Sequence, residues 1–67
     1  MEKNSFTERN QINNCEYLIA ITEQENDLYV GTAICLCEPM KWEKFKDSVF
    51  EVVYVKCIEW LNQNCKK

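Results

Sequence analysis

The sequence predicts an α+β chain in which a β-hairpin is followed by one long C-terminal helix. Three observations carry this. Residues 15–23, CEYLIAITE, and 28–37, LYVGTAICLC, are apolar runs of strand length separated by the polar turn Gln24-Glu25-Asn26-Asp27. Residues 40–64 then place apolar side chains at helical period, with no Gly or Pro among them. A chain of 67 residues is also too short for these elements to cover all the apolar surface they present. The expected unit is ββα over residues 15–65, with a polar segment over 1–14, completed by dimerisation.

Residues 1–14 are polar and Asn-rich. Ser5-Phe6-Thr7-Glu8 matches a capping box and suggests a short helix over about 6–12, against the alternative of a frayed terminus. Asn13-Asn14 reads as a turn. In the first strand Cys15, Tyr17, Ile19 and Ile21 share a face, and Glu16, Leu18, Ala20 and Thr22 share the other. In the second, Leu28, Val30, Thr32, Ile34 and Leu36 oppose Tyr29, Gly31, Ala33, Cys35 and Cys37. The second set is mostly small, which suits the close approach of a helix, and Gly31 suggests a bulge. Neither face of the hairpin is polar, so both are expected to be covered, one by the helix and one by something else.

Glu38-Pro39 is expected to open the helix, since proline is tolerated at the first helical position. Placed on a helical wheel, Trp42, Phe45, Val49, Val53, Cys57 and Trp60 form one stripe flanked by Val52, Phe50, Leu61 and Tyr54. The arc is roughly 200° wide, beyond the ~100° that faces a single core. The competing arrangement is ββαβ, with Val49–Ile58 as a third strand because of its β-branched and aromatic residues. The helix is preferred because no Gly, Pro or Asn interrupts residues 40–61 and because Lys44, Asp47, Glu51 and Glu59 gather on one arc.

A net charge of −3 with a single Arg leaves no basic stripe for phosphates, so direct nucleic-acid binding is not expected. No apolar run is long enough for a membrane span or a signal peptide, and the chain is expected to be a complete cytoplasmic protein. There is no His, no paired carboxylates at telling spacing and no phosphate-binding loop, so an enzyme is not expected. The five cysteines stand at 15, 35, 37, 57 and 65. In a reducing compartment they are expected to be free and to pack as small hydrophobes, with no cofactor. A zinc site formed by Cys35, Cys37, Cys57 and Cys65 is the minor alternative, because C-x-C on a strand departs from the usual C-x₂₋₄-C spacing.

The resulting expectation is a small non-enzymatic protein-binding module, self-associating as a homodimer. Its composition is compact and acidic, rich in Lys and Asn and nearly free of Arg. That suits a phage or mobile-element inhibitor of a host protein, of the anti-defence or host-takeover type, acting by occlusion. The alternatives are a zinc- or thiol-dependent regulator and an antitoxin- or immunity-like partner of a toxic enzyme. The contact residues expected are those the ββα arrangement leaves unexplained: Tyr54, Val55 and Ile58 on the helix, with Tyr29 and Trp42 at the ends of elements.

Overall fold

In the computed structural model, which describes residues 4–66, the first strand begins well before the expected hairpin. The elements are β1 (Ser5–Ile12), β2 (Cys15–Glu23), a single 3₁₀ turn (Glu25–Asp27), β3 (Tyr29–Cys35), β4 (Lys41–Asp47) and α1 (Phe50–Asn64). The four strands form one antiparallel sheet in sequence order, β1-β2-β3-β4, and α1 lies across one face of it. The chain is thus α+β with one C-terminal helix, and β2 has the bounds read from the sequence.

Three expectations require correction. Residues 6–12 are neither a helix nor a free end but edge strand β1, paired with β2 from Ser5↔Thr22 to Ile12↔Cys15. Asn13-Asn14 is the two-residue hairpin turn between them. Both residues have positive φ, 53° and 61°, which asparagine tolerates and which matches the twist of the flanking strands. The helix does not begin at Pro39. Glu38–Pro39 lies in the bend after β3, and residues 41–47 are a fourth strand whose Phe45 pairs with Gly31. The break falls at Asp47-Ser48, where the Asp47 carboxylate accepts the Val49 N–H at 3.0 Å and turns the chain into α1. The ββαβ alternative is overturned, since residues 50–58 are helical.

The core lies between the sheet and α1. Register places Phe6, Glu8 and Ile12 of β1, Cys15, Tyr17, Ile19 and Ile21 of β2, Tyr29, Gly31, Ala33 and Cys35 of β3, and Phe45 of β4 on the helix side. Against them α1 buries Val53, Cys57 and Leu61, spaced four apart, and Cys65 continues the stripe just past its end. Phe50, Tyr54, Ile58 and Trp60 pack around that stripe. Phe6 meets Phe50 and Tyr54 edge-on, with ring centroids 5.4 and 6.0 Å apart, and Tyr29 meets Phe50 at 5.8 Å. Gly31 makes no bulge; it pairs regularly with Ile21 and Phe45. Its role is closeness, because a Cβ there would overlap Val53 Cγ1 and crowd Ile21 and Cys57. Glu8 is a polar group within this layer. Its carboxylate accepts the Tyr17 hydroxyl at 2.7 Å and the Tyr54 hydroxyl at 3.0 Å, which joins β1, β2 and α1.

Candidate functional site

Two features stand out once the core is accounted for: the face of the sheet that α1 leaves open, and a knot of sulfur atoms at the end of the helix.

The open face is fixed by the period-two geometry of the strands. Leu18 and Ala20 of β2, Val30, Thr32 and Ile34 of β3, and Trp42, Lys44 and Lys46 of β4 all point away from the helix. Cross-strand pairing aligns Arg9, Leu18, Ile34 and Trp42 in one row. Leu18 and Ile34 are half-buried by their neighbours alone, and Trp42 remains 60% exposed. Met40 and Val49, at the two ends of β4, are also open at 66% and 49%. Charge frames the row. Arg9 Nε donates to Glu16 Oε2 at 2.7 Å on the β1–β2 side, which raises the Arg9 pKa and lowers that of Glu16 through the hydrogen bond they share. On the other side Lys44 Nζ stands 5.9 Å from the Trp42 ring centroid. β4 and β1 are the edges of the sheet, and both carry charged or polar side chains, which discourages edge-to-edge pairing.

Of the five contact residues expected from the sequence, Trp42 belongs to this face. Val55 is exposed on the outer side of α1, beside Glu51, Val52, Lys56 and Glu59. The other three have packing roles. Tyr29 meets Phe50 edge-on, Tyr54 is held by Glu8 and Phe6, and Ile58 lies against the core. Burial first, then the bond to Glu8, raises the pKa of Tyr54 above that of a free phenol, and the same causes act more strongly on Tyr17. Leu18 and Ile34 are the open-face residues that helix-centred reasoning passed over. Their signal was the hairpin's lack of a polar face.

The second feature gathers four of the five cysteines. Cys15 opens β2, Cys35 closes β3, Cys37 follows two residues later, and Cys65 caps α1. Cys15 and Cys37 are joined in a disulfide with their Cα atoms 5.8 Å apart, so these two are not the free thiols the sequence reading expected. Cys15 Sγ also lies 3.5 Å from Cys35 Sγ and 3.1 Å from Cys65 Sγ, and the sulfurs of Cys15, Cys35 and Cys65 are all within 4.8 Å of one another. All three residues are buried. Asn13 holds the helix end in place over them. Its Nδ2 donates to the backbone oxygens of Asn62 at 3.1 Å and Cys65 at 3.4 Å, carbonyls that the end of a helix leaves unpartnered. Burial pushes the Cys65 thiol up to about 12, while the Leu36 backbone amide acts in the opposite sense.

The expected set of Cys35, Cys37, Cys57 and Cys65 therefore shares three members with the one observed. Cys57 sits one helical turn before Leu61, under Gly31 and away from the cluster, where burial pushes its thiol up to about 11. Cys15 takes its place. The sequence contained the clue, since Cys15 and Cys37 are equally distant from the centre of the β2–β3 turn and must meet if the hairpin pairs regularly.

No helix among the described residues is long and apolar enough to cross a membrane. Compared with protein-family models, curated proteins and solved structures, the chain matches none.

Proposed function

We propose that this chain is a small non-enzymatic protein-binding module that works by occlusion, and that the open face of its sheet is the surface it binds with. The observation that carries the reading is the apolar row Leu18–Ile34–Trp42 on a face that no element among the described residues covers. A sheet with one helix has one covered side, and a large exposed Trp that ends an apolar row on edge strand β4 is the type of residue that often anchors protein interfaces. The charges around the row suit a polar rim about a desolvated centre. The first occupant we assign to it is a second copy of the chain, packed face to face about a two-fold axis. The guarded edges argue against strand-to-strand pairing. Occlusion of a host enzyme or defence protein, as in a phage or mobile-element inhibitor, uses the same surface, and its support is compositional.

Native mass spectrometry and light scattering of the wild type and of Ile34→Glu test the reading. Ile34 is half-buried with no part in the helix–sheet core, so the variant is expected to keep the wild-type circular dichroism. The expected result is a concentration-dependent wild-type dimer and a monomeric variant. A wild type that stays monomeric at its highest soluble concentration overturns the homodimer. A variant that dimerises like the wild type moves the interface elsewhere.

A further inference from the structure

The cysteine cluster needs a reason that packing does not supply. Cysteines used as small hydrophobes fill separate gaps, as Cys57 does beneath Gly31. Cys15, Cys35, Cys37 and Cys65 instead come from three different elements and aim their sulfurs at one point, with Cys15 Sγ bonded to one sulfur and within 3.5 Å of two others. A zinc ion held by four thiolates at about 2.3 Å requires sulfurs about 3.8 Å apart at the corners of a tetrahedron. Two of the spacings among Cys15, Cys35 and Cys65, 3.1 and 3.5 Å, are somewhat shorter than that value, and the third is no more than 4.8 Å. Cys37 completes the set once it is released from Cys15.

We propose that, with the Cys15–Cys37 bond reduced, the sulfurs of Cys15, Cys35, Cys37 and Cys65 hold one zinc ion as a tetrathiolate centre that staples the end of α1 to the β2–β3 hairpin. The two states interconvert with balanced chemistry. A dithiol reductant gives two electrons and two protons to the Cys15–Cys37 disulfide, leaving two thiols and itself becoming a disulfide. Zinc then replaces the four thiol protons, which leave to solvent, so that the ion and its ligands carry a net charge of −2. Lys41, the strand partner of Cys35, and Lys66, next to Cys65, bring positive charge nearby. The centre also answers the size problem, since a chain this short commonly relies on a metal or a covalent staple. It stands independently of the open-face reading.

The test is titration with cobalt(II) of protein reduced by a phosphine, which becomes the phosphine oxide as it delivers two thiols. The expected result is one equivalent of cobalt bound, with an intense thiolate-to-cobalt charge-transfer band and the strong visible bands of tetrahedral cobalt. One equivalent of zinc then bleaches both. Cys57→Ser is expected to keep the full spectrum and Cys37→Ser to lose a quarter or more of the charge-transfer intensity. Because the wild type is titrated directly, its own spectrum does not depend on any variant folding. A folded, reduced wild type that shows no charge-transfer band overturns the proposal. So does a Cys57→Ser spectrum reduced as much as that of Cys37→Ser.

Discussion

The two faces of the sheet are made from the same strands and from much the same residues, yet one is a core and the other a surface. On the helix side Ile19 and Ile21 are sealed to 0% and 1% exposure. On the opposite side Leu18 and Ile34 stop at half-burial, and Trp42 stands open. Apolar content does not distinguish them. What does is the size of the side chains at the centre of β3. Gly31 and Ala33 let α1 settle onto one face, whereas Val30, Thr32 and Ile34 bulk out the other. Glycine and alanine in a strand have here selected which side receives the helix.

The largest test of this contrast is a matched pair of truncations. Ile19→Ala removes fully buried atoms and is expected to cost about 2–5 kcal/mol, enough to unfold much of so small a domain. Ile34→Ala, on the open face, is expected to cost well under half as much in the monomer, and urea unfolding of both measures the ratio. Equal losses would mean that the open face is covered in solution even at low concentration. Next is Gly31→Ala. The added methyl meets Val53 and should cost about 1–3 kcal/mol by overpacking. A neutral or stabilising result would show that α1 rides higher on the sheet.

Alkali should expose the same asymmetry more gently. On the covered side the Cys57 thiol ionises at about 11 rather than 9.0, because burial disfavours its charge, and Tyr17 and Tyr54 are raised above 10.0 by burial and by their bonds to Glu8. Each is raised in the folded state, so each contribution is whole below the unfolded value and is lost as pH climbs. Stability should be flat up to about pH 9 and then fall, first through Cys57 and Cys65, both raised by burial, and above pH 10 through the phenols as well. Urea midpoints from pH 7 to 11 check this, and Cys57→Ala should make the early fall shallower without abolishing it. The smallest effect belongs to the open face. Arg9→Ala breaks the exposed pair with Glu16, and no measurable change in stability is expected, at low salt or high. A clear loss would show that the pair is desolvated by a bound partner.

The β2–β3 hairpin and the C-terminal helix from Phe50 to Asn64 were readable, whereas the N-terminal segment and the stretch over 40–49 were not. β2 combines a period-two pattern with β-branched residues, and its bounds came out to the residue. β1 was hidden because an edge strand needs little apolar surface. Phe6 and Ile12 are the apolar side chains it sends toward the helix, and a Ser-x-x-Glu box within it imitated a helix start. The Asn-Asn turn pointed the other way, since a two-residue turn before a strand requires a strand on its other side. β4 was absorbed into the helix because Trp42, Phe45 and Val49 fit period 3.6. The wide apolar arc that first suggested a partner on two sides came largely from joining these strand residues to a 15-residue helix. The break is marked by Asp47-Ser48, which form a turn without any Gly, Pro or Asn. The sulfur cluster was half legible: C-x-C stood out, and the register that brings Cys15 to Cys37 was implicit in the hairpin.

The order of the strands has a consequence for how the molecule comes together. Every strand pairs with its neighbour in sequence, across connections of two to five residues, so the sheet can grow as a zipper from any of its three turns with little loop-closure entropy. The return of α1 over β1 and β2, with Tyr54 reaching Glu8 and Cys65 reaching Cys15 fifty positions away, is the step that requires distant parts of the chain to find each other. Assembly should therefore be fast for a sheet protein, on the order of milliseconds, with helix docking as the committing event. A bond or an ion at the cysteine cluster would then act as a latch, closing after the fold has formed and slowing its opening far more than it hastens its making.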